Sequence, residues 1–337
     1  MKRTFAAKAW VIWLLGMGTI TMVTRNPFYI LILLLVARVV QAACAIPGAG
    51  VKLRFWRLAL IIISLSILFN VLMVHIGETI IATLPQNWWV IGGSLTMEAA
   101  VYGAISGLTL VTLLAVFMAF NSVVPPSELI RLTPRALANI GLIVMIAVTY
   151  VPETMDQLQR IREAQALRGH RLRGLRDWQP IVIPLLIGGL ERAMSLAETM
   201  VARGYGATTN VRHSTALQLG LLATLLLTLG GWALTFWVGR SAWVLVLAGI
   251  VLVIGISALL GRQVTHTRYR PRSWTKWDWV VLLCAVIPLI FVFFPIPLVD
   301  RSTLFYTPYP QVALPSFDVL LGLALAALAV PAILEEF

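Results

Sequence analysis

The sequence predicts an all-α fold: a polytopic membrane helical bundle with long helices on its cytoplasmic side. Three observations predict it. Of 337 residues, 59% are hydrophobic and only 12% charged, where a soluble domain carries about 25% charged residues. Mean hydropathy is +0.89, and apolar runs of roughly 15–23 residues recur from end to end, the length that crosses a bilayer. The charges that remain are lopsided, with 26 Lys and Arg against 14 Asp and Glu for a net charge of +12. This balance excludes a soluble enzyme, a disordered chain and a disulfide-stapled secreted domain.

The spans follow in order: 9–23, 28–45, 58–76, 99–121, 216–239, 242–260, 278–299 and 315–334. Lys2, Arg3 and Lys8 followed by an apolar run have the outline of a signal peptide. No small-x-small cleavage site precedes the second run, so the first is expected to be a retained span. Cys44 and Cys284 lie in or beside apolar runs and read as small buried side chains. With the N-terminus in the cytoplasm and the spans alternating, 22 basic residues fall inside, against Arg25, Arg240 and Arg301 outside. That bias fixes the orientation in the cell (inner) membrane, with both termini cytoplasmic. Arg38 lies within the second span, toward its inner end, and is expected to snorkel. The external loop 77–98 has no basic residue and holds Glu78, Glu98, Trp88 and Trp89, which suit a membrane interface.

Runs 136–151 and 180–190 are too short to span alone. Each continues into polar sequence that is still compatible with a helix. Pro125, Pro126, Ser127 and Glu128 read as a helix start, with the short helix reaching about Leu132 and Pro134 opening the next. Residues 135–168 read as one long helix bent at Pro152. Its second half carries a stripe of Met155, Leu158, Ile161 and Ala164, an Asp156–Arg160 pair four residues apart, and Gly169 as its C-cap. After a basic linker at 170–176, Pro180 and Pro184 open a second helix. Ile187, Leu190, Met194, Ala197 and Val201 step by three and four, which predicts the seam of a packed helix pair. Gly189, Ala193 and Ala197 form a ridge of small residues for close helix approach. Glu191, Arg192 and Glu198 place this helix at the cytoplasmic interface or inside the protein rather than facing lipid.

The two long helices end alike, in Ala166, Leu167, Arg168 and Gly169, then in Val201, Ala202, Arg203 and Gly204. Ordinary C-capping explains either end alone, because a cation is favoured there by the helix dipole and glycine supplies the left-handed cap. Two copies 35 residues apart, both on the basic side, suggest more. A guanidinium flanked by small residues is a rigid, always-charged plug for an acidic groove on a partner.

Residues 122–206 resemble the T component, the transmembrane coupling subunit, of energy-coupling factor transporters, a family that includes cobalt and nickel uptake systems. The residues that carry the resemblance are Pro126 and Glu128, the run Arg160 to Gly169, and the run Leu196 to Tyr205. Arg25, Asn26, Pro27, Phe28 and Tyr29 look familial too, as do Thr267, Arg268, Tyr269, Arg270 and Pro271. The resemblance implies that 122–212 is a coupling-helix region between N-terminal spans (1–121) and C-terminal spans (213–337). It implies that Arg168 and Arg203 dock into grooves of two ABC-type ATPase subunits, aided by Ala166, Leu167, Gly169, Ala202 and Gly204. It further implies a small membrane S component that binds a vitamin or transition-metal ion, and ATP and Mg carried by the ATPases rather than by this chain. The sequence departs from the family pattern in two places. Leu167 stands where alanine is usual, and 207–266 inserts two extra spans, with a further span at 315–334.

No Gly-x-x-x-x-Gly-Lys-Ser/Thr loop occurs, so the chain is not expected to bind ATP itself. His75, His170, His213 and His266 are scattered, and no metal or cofactor is expected on this chain. The basic residues flank spans and no recognition module accompanies them, so nucleic acid is not an expected partner. Two other function classes compete. A stand-alone secondary transporter predicts inverted repeats around a midplane site. A membrane-embedded enzyme predicts polar residues converging within the spans. The two Arg-Gly helix ends form a direct repeat instead, and the spans hold almost no such residues.

Overall fold

The computed structural model describes residues 5–46, 54–83, 93–133, 138–170, 174–205, 215–238, 243–263, 274–294, 297 and 299–336. Among them the elements run α1 (Ala7–Val23), α2 (Pro27–Cys44), α3 (Phe55–Met73), β1 (Ile80–Thr83), β2 (Ser94–Thr96), α4 (Met97–Val123) and α5 (Pro126–Ile130). They continue with α6 (Ala138–Leu167), α7 (Gln179–Ala202), α8 (Thr215–Val238), α9 (Trp243–Gln263), α10 (Lys276–Phe293), α11 (Val319–Ala326) and α12 (Val330–Glu336). Among the described residues the protein is all-α apart from one pair of short antiparallel strands. Five of these helices, α2, α3, α4, α7 and α10, are long and apolar enough to cross a membrane. The chain divides into two compact units, 1–128 with 271–337, and 129–270.

In the first unit α4 is the central helix, packed against α1, α2 and α3. Its Gly103 and Gly107 are four residues apart and face the α3 backbone. A methyl at either would come within 2.9 Å of Ile63 Cα or Ile67 Cα, and Ser66 Oγ donates to Gly103 O at 2.8 Å. Small residues at this spacing let two helix backbones meet. The other side of α3 is bare, with Leu60, Ile61, Leu65 and Phe69 each at least 60% exposed, as suits a lipid-facing surface.

The C-terminal helices complete this unit. α10 packs along α1, and α11 and α12 along α2. Trp13, fully buried, donates its Nε1–H to Leu328 O at 3.0 Å. Asp278 caps two helices at once. Its side chain and that of Thr275 form a capping box at the start of α10, and its Oδ1 accepts the Ala6 N–H at the start of α1 at 2.7 Å. The familial run at 25–29 is a latch. Asn26 Oδ1 accepts from Phe28 N–H and caps α2, while its amide donates to Thr303 O and Ser316 O at 2.8 and 2.7 Å. The Tyr29 hydroxyl accepts the Asp318 N–H at 2.7 Å and lies 3.0 Å from Thr303 Oγ1. The other familial run, 267–271, lies outside the described residues, as do Trp88, Trp89, Pro134, Arg240, His213 and His266.

Three expectations are corrected in this unit. The run 315–334 is two helices, α11 and α12, joined by a 3₁₀ turn at Ala327–Ala329. Pro331 accounts for the break, because it lacks an N–H and its ring clashes with the carbonyl four residues earlier, that of Ala327. Loop 77–98 contains an antiparallel β-hairpin pairing Ile80 with Thr96 and Thr83 with Ser94. Glu98 is buried rather than interfacial, its Oε1 accepting the Thr79 N–H at 3.0 Å. Cys44 is buried and Cys284 half-buried, and Cys44 Sγ lies 3.6 Å from Pro331 O.

The second unit contains two antiparallel helix pairs. In α8 and α9, Gly220 faces Ile256, Gly231 faces Leu245 and Gly249 faces Thr228. In α6 and α7, Arg192 Nη1 pairs with Glu153 Oε1 at 3.0 Å, Gly188 abuts Gln157, and Gln165 Nε2 reaches Pro180 O at 3.4 Å. The paired positions move in opposite directions along the two helices, so α6 and α7 form a continuous antiparallel hairpin. Pro152 lies inside α6, which runs through it.

Candidate partner-docking site

The face of α7 that meets α6 is the reverse of the one its apolar spacing predicts. Ile181 is buried, and Leu185, Gly188, Arg192, Leu196 and Met200 are half-buried. These positions share one side of the helix. The expected seam lies opposite, with Ile187, Leu190 and Met194 at 62%, 65% and 59% exposed and Val201 at 71%. The cause is local. Gly188 lets Gln157 come close, and Arg192 reaches back to bond Gly188 O as well as Glu153. A methyl at Gly189, in the expected small-residue ridge, meets nothing within 4 Å. On α6, Leu158 and Ile161 of the predicted stripe are half-buried, while Met155 and Ala164 are exposed.

Both helix ends close by the same device. At the end of α6, Gly169 has φ +80°, its N–H bonds Ala166 O at 2.9 Å, and the His170 N–H reaches back to Gln165 O at 3.0 Å. At the end of α7, Gly204 has φ +78°, its N–H bonds Val201 O at 2.9 Å, and the Tyr205 N–H reaches Met200 O at 2.9 Å. These are two Schellman caps, each with a glycine in the left-handed conformation and each with its arginine, Arg168 or Arg203, as the last residue before that glycine. The chain beyond the first is held by His170 Nε2, 2.7 Å from Asp177 O, and by the Gly174 N–H bonding Asp177 Oδ2 at 2.9 Å.

All seven motif residues are exposed: Ala166, Leu167, Arg168 and Gly169 at one end, Ala202, Arg203 and Gly204 at the other. Leu167, where the resemblance leads one to expect alanine, is 91% exposed. Leu167 and Arg168 thus set an exposed apolar side chain beside an exposed cation at one helix end. An open groove of about 650 Å³ runs beside the first motif, lined among others by Leu158, Arg162, Glu163, Ala166 and Ile181. Since α6 and α7 are antiparallel, the two arginines stand at opposite ends of the hairpin. The 24 residues of α7 at 1.5 Å each separate them by about 36 Å. They cannot enter one groove together. Arg160 and Arg162 are exposed on α6; Arg171 and Arg173, and the side chain of Arg176, lie outside the described residues.

Residues 1–215 match the cobalt transport protein family, CbiQ. The chain belongs to the CbiQ family. Curated relatives of this CbiQ-family chain carry the name energy-coupling factor transporter transmembrane protein EcfT. One from Streptococcus equi is 30% identical over 169 residues, 42% of this chain and 62% of its own length. One from Bacillus selenitireducens is 28% identical over 198 residues, covering 54% of this chain and 71% of the relative. One from Leuconostoc gelidum is 37% identical over 75 residues, 20% of this chain and 28% of the relative. The chain thus spans less than two thirds of the Streptococcus relative. The CbiQ match ends where α8 begins, so both Arg-Gly ends fall inside it and α8 to α12 fall outside it.

The reading from sequence missed Gly188, which fixes the packing face of α7, and Asp278, which ties α1 to α10. A glycine followed four residues later by Arg192, with Glu153 on the preceding helix, was the available signal for the first. Thr275 three residues before Asp278 was the signal for the second.

Proposed function

We propose that this chain is the transmembrane coupling (T) subunit of an energy-coupling factor transporter for micronutrient uptake. In this reading two ABC-type ATPase subunits bind and hydrolyse Mg-ATP, and this chain carries their motion to a small membrane S component that holds a vitamin or a transition-metal ion. The observation that carries the reading is the pair of identically capped, exposed Arg-Gly ends about 36 Å apart on one antiparallel hairpin. That separation suits two ATPase subunits, one per arginine. A helix is stiff along its axis, so a push at Arg168 or Arg203 is transmitted through the hairpin. The Glu153–Arg192 pair and the Gly188–Gln157 contact keep its two helices in register. The apolar side of α7 at Ile187, Leu190, Met194, Ala197 and Val201 is the surface we assign to the S component. The 22 to 3 bias of basic residues supports placing both Arg-Gly ends and both termini on the cytoplasmic side of the cell membrane.

Charge reversal tests the reading. Removing one member of a desolvated charge pair costs about 2–5 kcal/mol, so Arg203→Glu and Arg168→Glu should each weaken ATPase retention at least tenfold. Together they should abolish co-purification and ATP-dependent uptake while the protein stays in the membrane. Unchanged retention of both ATPase subunits by the double variant overturns the docking assignment.

A further inference from the structure

A second cluster of arginines lies in the first unit. Where α2 ends and α3 begins, an open cleft of about 470 Å³ is lined by Arg38, Gln41, Arg54, Phe55, Trp56, Arg57 and Met118. Arg38 does more here than snorkel. Its guanidinium carbon sits 4.5 Å from the centre of the Phe55 ring, and Nη1 donates to Gln41 Oε1 at 2.5 Å. The stack and the bond fix the fork, yet use one of its five N–H donors. Arg54 and Arg57 are exposed. Arg54 is the N-cap residue of α3 and its side chain makes no capping bond, so the positive end of the α3 dipole lies beside the cleft. Among the described residues no carboxylate forms an ion pair with any of the three arginines; the one such pair is Arg192 with Glu153.

Three guanidinium groups and a helix N-terminus around one cleft repel one another unless an anion joins them. The geometry suits a phosphate: a pre-oriented planar fork at Arg38, with two further cations at the rim. What lies beside the cleft identifies the source. From Trp56 onward α3 presents the bare apolar side already described, Leu60, Ile61, Leu65 and Phe69, with Trp56 itself 64% exposed at its foot. A free phosphate has no use for that surface, whereas acyl chains do. We propose that this cleft binds the phosphate headgroup of an anionic phospholipid, whose chains lie along the exposed face of α3. Basic clefts between spans at the membrane surface have this chemistry. The site does not depend on the coupling role, and its readout involves no ATPase.

The test uses the full-length protein in mixed micelles with equimolar phosphatidylglycerol and phosphatidylcholine, with retained lipid counted by native mass spectrometry. The wild type should retain phosphatidylglycerol preferentially. Arg38→Gln, Arg54→Gln and Arg57→Gln should each reduce that preference about fivefold. Arg38→Lys should fall between, since it keeps the charge and loses the stacked fork, and Arg131→Gln should change nothing. Arg54 and Arg57 are exposed, so their variants test the site without disturbing the fold. Equal retention of the two lipids by the wild type overturns the proposal, as does an undiminished preference in the Arg54→Gln, Arg57→Gln double variant. A large excess of inorganic phosphate should leave the lipid in place; its displacement by phosphate would assign the cleft to the free anion and overturn the lipid.

Discussion

The caps at Gly169 and Gly204 allow the geometry of the helix ends to be tested apart from the charge of the arginines. Both glycines hold φ near +80°, and a methyl group on either would meet nothing within 4 Å. An added Cβ therefore introduces no clash, and its cost is backbone strain. An L-residue in the left-handed region costs roughly 1–2 kcal/mol, a factor of about 5–30 in the population of the capped end. Docking onto a capped end would weaken by at most that factor at each site. The two ends are about 36 Å apart, so the factors should multiply in the double variant. Valine, β-branched, should sit at the upper limit and asparagine well below it, because Asn tolerates this conformation. The assay is titration of the ATPase subunits onto the membrane-embedded protein, comparing Gly204→Val with Gly204→Asn and then the same pair at Gly169. If valine and asparagine weaken binding equally, or neither does, the left-handed cap is not what presents the arginines, and the reasoning fails.

Other predictions concern the first unit. Asp278→Ala removes caps from both α1 and α10 at about 1 kcal/mol each, so thermal unfolding in detergent should show a loss of about 2 kcal/mol, with Asp278→Asn recovering part of it. Gly103→Val forces α3 and α4 apart, since a methyl there already lies 2.8 Å from Ile67 Cα; overpacking of this kind costs about 1–3 kcal/mol, read by the same melt. Asp300 Oδ1 accepts both the Ser302 N–H and its hydroxyl, at 3.0 and 2.7 Å, and the side-chain bond holds its carboxyl below the ordinary value. Its contribution to order in the 300–318 loop is therefore complete above the unfolded carboxyl's pKa and lost as pH falls through the lower folded one. Hydrogen exchange of that loop should show the acid-side loosening in the wild type and no such pH dependence in Asp300→Asn.

Much of this was legible because the bilayer allows few solutions. Apolar length gave seven of the eight expected spans as single helices, and Gly169 and Gly204 marked both ends of the hairpin. The face of α7 was misread for a physical reason. In water the most apolar stripe of a helix turns inward, whereas α7 turns inward the stripe containing Gly188 and Arg192. Its most apolar stripe is left for whatever surrounds the protein. Packing between membrane helices favours small residues and paired polar groups, and the same logic explains the Gly103 and Gly107 contact, which hydropathy alone does not reveal. The role of Asn26 and Tyr29 was hidden for another reason. Their partners, Thr303, Ser316 and Asp318, lie almost 300 residues away, and local spacing carries no trace of so distant a bond.

That distance has a consequence for how the protein is made. The Trp13 indole finds its acceptor 315 residues later, at Leu328. At about 5–20 residues per second, a ribosome supplies that partner roughly 15–60 seconds after the tryptophan emerges. For most of that interval α1 waits without α10, and α2 without the loop that its Asn26 and Tyr29 grip. The hairpin bearing both arginines is complete well before then, so both Arg-Gly ends are made before the first unit has closed. A chain cut short after α9 would still carry both Arg-Gly ends, while its first unit would lack α10 to α12 and keep an open side.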